Sequence, residues 1–487
     1  MLFRWILCSS VLIALGLLLV TTSHADSTPQ TPRLGHAAPA VDDDDEVDHT
    51  PPTDNFAPPS QLEAKVLEDA GEAIAETMKL LRKGDGEGDV HKVIRRVKKA
   101  RKKAPEYAAL DYYLGRLYQW DENYKQARKY YNRSIETNPR FYESISALGE
   151  IAVSELELED GLKEFDRALA IHPWYDEAIY QKYDLYLLKG ELPKAKVQLE
   201  RLMKVSDISW LPLAMEMVDS AIRGPSWPTT FVSETKNYIV KTGISQEMAD
   251  LISANAEKIR TLYGKYFVDV DRVGRKYEII VYRSKGEYHA NGGPRTAAGH
   301  YSPYIRSMHL YPHERLSDML LVLYHEGFHQ YLHEYLDNIP QWFNEGLGDF
   351  FGGAMINRAG TKAQMGPSPW RVNTVKLAWQ RGLLPPVAEL MNMTREQMYD
   401  PEKAGLYYAQ AWAIVYYCME SGQSKHKKAL VRYFSALRKG LSSRDAFRTS
   451  FGKIDMDQFD RNLRNFIDRC PDRDEIWAAR EAIVKPK

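Results

Sequence analysis

Three prolines recur at a fixed interval in the first half of the chain, and this interval constrains the fold more than any other feature. They are Pro105, Pro139 and Pro173, and each of the two intervals between them (139 − 105 and 173 − 139) is 34 residues. A period of this length indicates one supersecondary unit copied in tandem, in which each unit buries its apolar face by stacking on its neighbours. The spacing therefore predicts an all-α array of helical hairpins over residues 61–224.

The residues between these prolines resemble the tetratricopeptide repeat. The unit that ends at Pro139 carries the expected small and large residues: Leu114-Gly115, Tyr118, Ala127 and Tyr131. The next unit carries Leu148-Gly149, Ala152, Gly161, Phe165 and Ala168. The resemblance is weaker in a third unit after residue 173 and in a degenerate first unit over 63–101. It implies a surface for an extended peptide or a partner protein, and bracing of the following domain stays open as the alternative.

The second constraining feature is the pattern H-E-x-x-H at residues 325–329. It lies in an apolar run over 316–335 that predicts one helix. His325 and His329 are four residues apart, so both imidazoles leave the same face of that helix. Two neutral histidines so placed can bind zinc at about 2.0–2.1 Å. Glu326 points beside the metal, where a general base for an attacking water belongs.

A third ligand is needed, and the residues after the motif exclude one source of it. A continuation H-x-x-G-x-x-H requires Gly and His where this chain has Leu332 and Tyr335. His333 continues the stripe of histidines, but each step of four residues advances about 6 Å along the helix. Three histidines at this spacing do not converge on one ion. His333 is therefore predicted to flank the site rather than to bind the metal.

A second helix supplies a better candidate. Pro340 marks the start of a helix after a turn, and the chain continues Trp-Phe-Asn-Glu-Gly-Leu-Gly-Asp over 342–349. A helix that reverses at this turn brings Glu345 back over the first helix. Asp349 lies on the same face four residues later, where it can hold the back nitrogen of a histidine ligand.

The paired segments HEGFH and WFNEGLGDF resemble the gluzincin zinc metallopeptidases, and in particular the bacterial peptidase MA-like proteins. The resemblance covers roughly residues 231–487 and implies that His325, His329 and Glu345 bind Zn²⁺ and that Glu326 is the general base. It also implies that Asp349 supports a ligand. The spacer over 330–344 is shorter than in the aminopeptidase branch.

A small mixed sheet is predicted before the zinc helix. Its strands fall at 237–241, 276–282, 299–301 and 306–311, around a helix over 246–263. By the same resemblance, Ser307–Leu310 is expected to be the edge strand that pairs with substrate. A role of His309 in catalysis stays open, but a lone histidine on a strand is expected to be an ordinary packing or surface residue. Everything after Asp349 is expected to be helical. There Tyr408 matches the position of a transition-state tyrosine in gluzincins, with Tyr407 as the open alternative and aromatic packing against Trp412 as the other explanation.

The N-terminal end predicts export. Residues 1–25 combine a basic start, an apolar run over 5–20 and small residues at Ser23 and Ala25, the pattern of a signal peptide. Cleavage is favoured over a permanent membrane anchor because the run is short. Residues 26–60 hold seven prolines and an acidic run at 42–46, which predicts a disordered linker.

Charge and cysteine usage add two exclusions. The formal net charge is −1, and the basic cluster at 95–103 has no interleaved aromatic residue, so nothing indicates a nucleic-acid partner. The predicted mature chain keeps two cysteines, Cys418 and Cys470, which do not make a disulfide framework. Free buried thiols are the preferred interpretation, and a disulfide stays open.

These observations together predict an α+β protein with an N-terminal all-α tetratricopeptide-like array and a gluzincin-type domain of small mixed sheet, zinc helix and helical C-terminal half. The predicted function is that of an exported zinc-dependent peptidase, periplasmic or extracellular, acting on peptides or proteins. The alternative is a tetratricopeptide protein-binding scaffold whose zinc-containing domain is catalytically silent.

Overall fold

The structure is a computed structural model that describes residues 54–83, 90–155, 157–267, 276–336, 339–357 and 363–484. The predicted signal peptide, with Cys8, and the predicted linker as far as residue 53 lie outside these residues. Within the described ranges, no helix has both the length and the apolar composition that a membrane span requires.

The first half of the chain is a helical repeat array, as the proline spacing predicts. Its nine described helices are α1 Ala64–Lys83, α2 Val90–Lys103, α3 Ala108–Trp120, α4 Tyr124–Thr137, α5 Tyr142–Ser154, α6 Leu158–Ile171, α7 Asp176–Lys189, α8 Leu192–Val205 and α9 Leu211–Arg223. Helices α3, α5 and α7 begin at 108, 142 and 176, and α4, α6 and α8 begin at 124, 158 and 192. Both series therefore advance by the interval that separates the prolines (142 − 108 and 158 − 124), and the repeat is confirmed.

In the hairpins α3–α4 and α5–α6, a glycine on the first helix admits a large ring from the second. A Cβ atom on Gly115 would lie 2.4 Å from the ring of Tyr131, which is itself fully buried. Because no side chain fits in that space, α3 and α4 can approach closely only with glycine at this position. The same small-and-large pairing that suggested the repeat in the sequence is thus the contact that closes the hairpin.

A five-stranded mixed sheet follows the array. Its strands are β1 Phe231–Glu234, β2 Tyr238–Thr242, β3 Tyr277–Val281, β4 His300–Ser302 and β5 Ser307–Leu310, in the order β1-β2-β3-β5-β4. Strands β2, β3 and β5 are parallel, whereas β1 and β4 run antiparallel at the two edges. The prediction that Ser307–Leu310 forms the edge is therefore wrong, because β4 covers it.

Helices cover the sheet and position the histidine motif. They are α10 Gln246–Tyr266, the short α11 Lys285–Ala290 and α12 Leu316–Leu332. Tyr238, Ile279 and Met308 on the sheet pack into one apolar core with α10 and α12. The opposite face of the sheet carries a smaller aromatic cluster that includes Tyr282 and Tyr288.

The C-terminal half is helical, with one exception that the sequence did not predict. Helix α13 Gln341–Gly352 is followed by the hairpin β6 Ala354–Ile356 and β7 Ala363–Met365. The remaining helices are α14 Val372–Gln380, α15 Val387–Leu390, α16 Arg395–Met398, α17 Ala404–Glu420, α18 Ser424–Arg438, α19 Ser443–Phe451, α20 Met456–Asp468 and α21 Arg473–Val484. Cys418 and Cys470 are both free thiols, and Cys418 is buried.

The turn between β4 and β5 joins the sheet to the repeat array. Tyr304 and Ile305 belong to the apolar core of α5 to α9, and the phenol of Tyr183 donates a hydrogen bond to the Tyr304 carbonyl at 3.1 Å. Arg306 pairs with Asp184 of α7 at 2.5 Å. The chain thus changes fold type after α9, but the two parts share buried side chains.

Candidate metal centre

The two motif histidines face each other on α12. Their Nε2 atoms are 2.9 Å apart, and each side chain is only 12% exposed. In the turns of α12 that precede the motif, Leu320, Leu321 and Leu323 are buried and pack the helix against the core. The spacing of four residues thus brings two nitrogen donors to one point, as predicted.

Helix α13 brings a carboxylate to the same point. Glu345 Oε2 lies 3.7 Å from His325 Nε2, and Glu345 Oε1 lies 4.0 Å from His329 Nε2. Over the described parts of the chain, this is the one group of three or more such side chains whose donor atoms approach closely enough to share an ion. His333 is not in the group and its ring packs against Tyr301, with centroids 5.4 Å apart.

The back nitrogen of each histidine faces an oxygen acceptor. His325 Nδ1 lies 3.3 Å from Asp349 Oδ1, and His329 Nδ1 lies 3.0 Å from Asn344 Oδ1. A proton on Nδ1 satisfies each contact and leaves the Nε2 lone pair directed at the centre. Asp349 therefore stands where the sequence placed it. Asn344 is an addition that sequence analysis missed, although it precedes Glu345 directly.

This arrangement leaves a position for a metal ion or a shared proton between the two rings. Two Nε2 lone pairs at 2.9 Å repel each other unless a proton or a metal ion lies between them. Two imidazoles and a carboxylate are a donor set typical of zinc, which binds three such residues and leaves one position open. Tetrahedral bonds of about 2.0–2.1 Å place donors roughly 3.4 Å apart, and the distances of 2.9, 3.7 and 4.0 Å bracket that value. The residues present fit zinc.

The groups around His325 and His329 shift the pKa values of the two histidines in opposite directions. Burial lowers the pKa of His325, but the Asp349, Glu326 and Glu345 carboxylates outweigh it and raise that pKa to about 9. Burial, followed by the charge on His325, lowers the pKa of His329 to about 4. The carboxylates around the two histidines therefore favour one positive charge between the rings.

Asp349 is held by a cation behind it. Its side chain is fully buried, and Oδ2 accepts a hydrogen bond from Arg371 Nε at 2.6 Å. Burial raises the pKa of Asp349, but Arg371 and His325 outweigh burial and lower it. The carboxylate is thus ionised and fixed. Gly348 leaves the room for this arrangement, since a Cβ atom there would lie 2.9 Å from the ring of His325.

Glu326 lies beside the donor set rather than in it. Its Oε2 accepts a hydrogen bond of 2.9 Å from the backbone N–H of Tyr301, on the edge strand β4. Burial raises the pKa of this carboxyl group, although His325 and His329 oppose the shift. A carboxylate with a raised pKa between a candidate metal centre and a strand edge is suited to take and return a proton.

The structure separates the two candidate tyrosines on α17. Tyr407 packs in the main apolar core. Tyr408 is partly buried against the same core, and its ring lies 5.7 Å from the guanidinium of Arg371, which binds Asp349. Burial and then the charge of Glu345 raise the pKa of its phenol. The phenol of Tyr408 is thus on the Glu345 side of the site. Its role in chemistry stays a prediction.

Two further residues near Glu345 were not predicted. Gln341 donates hydrogen bonds to Glu345 Oε1 and to the phenol of Tyr399, both at 2.8 Å. Gln341 precedes Glu345 by one helical turn, so its spacing offered a signal. No such signal in the sequence points to Tyr399 or Arg371, because both residues contact the site from segments that are distant in the chain.

Comparison with known proteins finds a family model that matches the part of the chain containing the candidate metal centre. The family described as "Protein of unknown function (DUF1570)" matches residues 320–441, which include the histidine motif, α13 and α17. A curated protein from Giardia intestinalis, UDP-N-acetylglucosamine–peptide N-acetylglucosaminyltransferase, is 24% identical over 144 residues, which are 29% of this chain and 10% of that protein. The chain thus spans about a tenth of that relative.

A solved structure, an O-GlcNAc transferase mutant of Thermobaculum terrenum, is 16% identical and covers 54% of this chain and 45% of its own. Its TM-score is 0.27, which is too low to show a shared fold. The chemistry of the site therefore rests on its own residues.

Proposed function

We propose that this protein is an exported zinc-dependent peptidase of the gluzincin type. One observation carries the proposal: three zinc-type donors from α12 and α13 converge within 4.0 Å, and the carboxylate of Glu326 lies next to them without joining them. A structural zinc site would close with a fourth protein ligand, whereas a catalytic one keeps an open position beside a general base.

The chain's own residues then divide the work. His325, His329 and Glu345 would hold the ion, which when bound supplies Lewis acidity to a water molecule and a carbonyl. Glu326 takes the proton from the attacking water and delivers it to the leaving amine. Tyr408 is the candidate hydrogen-bond donor to the oxygen of the attacked carbonyl.

The edge strand indicates how a peptide would lie. Tyr301 pairs with Met308 of β5, and its backbone N–H points away from that strand to Glu326. An extended peptide that adds to the edge of the sheet beside β4 would pass next to this N–H and the carboxylate that accepts from it. Substrate and general base therefore meet at Tyr301, which favours cleavage of an extended chain.

The repeat array favours a second function. Helical repeats are typical of protein-binding scaffolds, and here the array shares a buried core with the turn that follows β4. In this alternative the zinc-containing domain binds metal but is catalytically silent. A partner protein on the repeats is part of both proposals.

The substitution Glu326→Gln tests the peptidase. It keeps the size of the side chain and the hydrogen bond to Tyr301, so zinc content and fold should persist while hydrolysis of casein falls by about a hundredfold or more. Glu314→Gln, just before α12 and exposed, is the matched control and should cleave like wild type.

The outcomes separate the two functions. Equal cleavage by wild type and Glu326→Gln would contradict the mechanism. Wild-type protein that holds zinc but cleaves nothing in a broad peptide library would favour the scaffold instead.

A further inference from the structure

A short segment ahead of the repeats is seated on the array. Residues 54–60 fall within the predicted disordered linker, yet Asn55 is 5% exposed and Phe56 is half-buried against the core of the first repeats. The structure differs from the prediction here, because two side chains find partners that the Pro-rich composition does not reveal. Asp54 and Ala57 on either side are exposed.

Polar contacts hold Asn55. Its Nδ2 donates to Glu143 Oε2 at 2.6 Å and to the Arg140 carbonyl at 3.3 Å, and its Oδ1 accepts from Asn138 Nδ2 at 2.9 Å. The turn before α5 and the first residues of α5 therefore form hydrogen bonds with both the amide nitrogen and the amide oxygen of Asn55. A carboxylate or an ammonium group could satisfy only one side of this arrangement.

Aromatic contacts hold Phe56. Its ring lies 5.4 Å from Phe141 and 5.4 Å from Tyr112, both edge to face, and 5.8 Å from Tyr113. Tyr107 donates a hydrogen bond of 2.8 Å to its backbone carbonyl. Such ring pairs contribute beyond buried area alone and fix the orientation of the ring.

The surface next to this segment is acidic. Glu143 and Glu150 lie on α5 and Glu177 lies on α7, and all three are buried. Arg116 pairs with Glu150 at 3.0 Å, and burial raises the pKa of Glu143. A ligand on this surface is therefore favoured when it brings hydrogen-bond donors to the carboxylates.

We propose that the surface formed by α3, α5 and the turn before α5 binds a peptide with an asparagine followed by an aromatic residue, and that Asp54–Phe56 occupies it in cis. This surface is separate from the metal centre. The occupant in a complex is an extended partner segment of the same chemistry, and the chain's own segment must leave for it to bind. A tethered ligand competes at a high effective concentration, so it shields the surface from weak partners.

The test uses the full chain and a fluorescein-labelled peptide of residues 54–61. The double variant Asn55→Ala/Phe56→Ala frees the surface, so it should bind the peptide about tenfold or more tightly than wild type by fluorescence anisotropy. The same peptide with both residues replaced by alanine should not bind. The substitutions lie outside the helices, and a thermal melt checks that the array stays folded.

A further substitution locates the surface. In the double-variant background, Tyr113→Ala should abolish peptide binding, whereas Tyr186→Ala, a half-buried tyrosine on α7 away from the segment, should leave it unchanged. Absence of peptide binding to the folded double variant would overturn the proposal. Equal binding to wild type and the double variant would also overturn it, because the segment would then not occupy the surface.

Discussion

Two pairs of closely spaced histidines lie on opposite faces of one sheet, and they differ in the charge around them. His325 and His329 pack on the face covered by α12, with their Nε2 atoms 2.9 Å apart. His300 and His309 are cross-strand partners on β4 and β5, and their rings stack with centroids 4.8 Å apart at 12°. Met308 next to His309 faces α12, so His309 faces away from it.

Neutral hydroxyls surround the stacked pair. Tyr288 bonds to His300 Nδ1 at 2.8 Å, while Tyr282 and Ser307 bond to the two nitrogens of His309 at 3.1 and 2.7 Å. A hydroxyl can donate or accept, so it adapts to either tautomer of a neutral ring. Burial lowers the pKa of His300 to about 4, which keeps the ring uncharged.

Carboxylates make the difference at the other pair. Asn344 Oδ1 is hydrogen-bonded to the back nitrogen of His329, and the Asp349 carboxylate lies 3.3 Å from that of His325. Both Nε2 atoms then face one point, where Glu345 adds a negative charge. Two adjacent histidines are therefore not sufficient for a metal site. The acceptors behind the rings and the carboxylate in front of them distinguish a candidate zinc centre from a packed aromatic cluster.

Removing one histidine from each pair should give the clearest contrast between them. His329→Ala should reduce zinc from about one ion per chain to a small fraction of that, because two remaining ligands hold the ion weakly. His309→Ala removes the same side chain from the other face and should keep its zinc. Inductively coupled plasma mass spectrometry on both variants measures the contrast, and zinc retained by His329→Ala at the wild-type level would mean that the ligands are misassigned.

The sequence predicted what depends on local spacing. The regular proline period specified the helical hairpins, and the four-residue spacing of His325 and His329 specified how two donors share a helix face. The turn at Pro340 placed Glu345 and Asp349 on a returning helix. In each case the geometry follows from one or two regular elements.

Contacts between distant segments were not predictable in this way. Arg371 reaches Asp349, and Tyr399 reaches Gln341, through the packing of separate helices. Strand β5 was expected at the edge because it precedes the motif helix, but the short strand β4 adds outside it. Asn55 was assigned to a linker because composition reports the average of a segment and not two side chains with specific partners.

The charged acceptor behind His325 should have a more moderate effect than a ligand. Asp349→Asn keeps the shape of the side chain but removes the charge that faces His325 and Arg371, so zinc affinity should fall by about 10–100-fold. Tyr282→Phe removes a neutral hydroxyl behind His309 and should leave zinc affinity unchanged. Competition with a chromogenic chelator measures both, and a melt of the zinc-free proteins shows that each is folded. Equal losses in the two variants would show that the charge on Asp349 is not what distinguishes the pairs.

The hydroxyl groups around the stacked pair should affect stability alone, and only slightly. Ser307→Ala deletes the hydroxyl on His309 Nε2 and leaves a buried nitrogen without that partner, which should cost about 1–2 kcal/mol of unfolding free energy. Ser302, the cross-strand neighbour of Ser307, meets the sulfur of Met217 at 3.7 Å, a weaker contact, so Ser302→Ala should cost less. Urea denaturation of the zinc-loaded proteins compares the two.

Zinc affinity should be the same in these two serine variants, because both hydroxyls bond to partners outside α12 and α13. The chelator competition used for Asp349→Asn measures it. A loss of zinc affinity in Ser307→Ala that is absent in Ser302→Ala would show that the two faces of the sheet are coupled. The contrast between the histidine pairs would then no longer separate metal binding from packing.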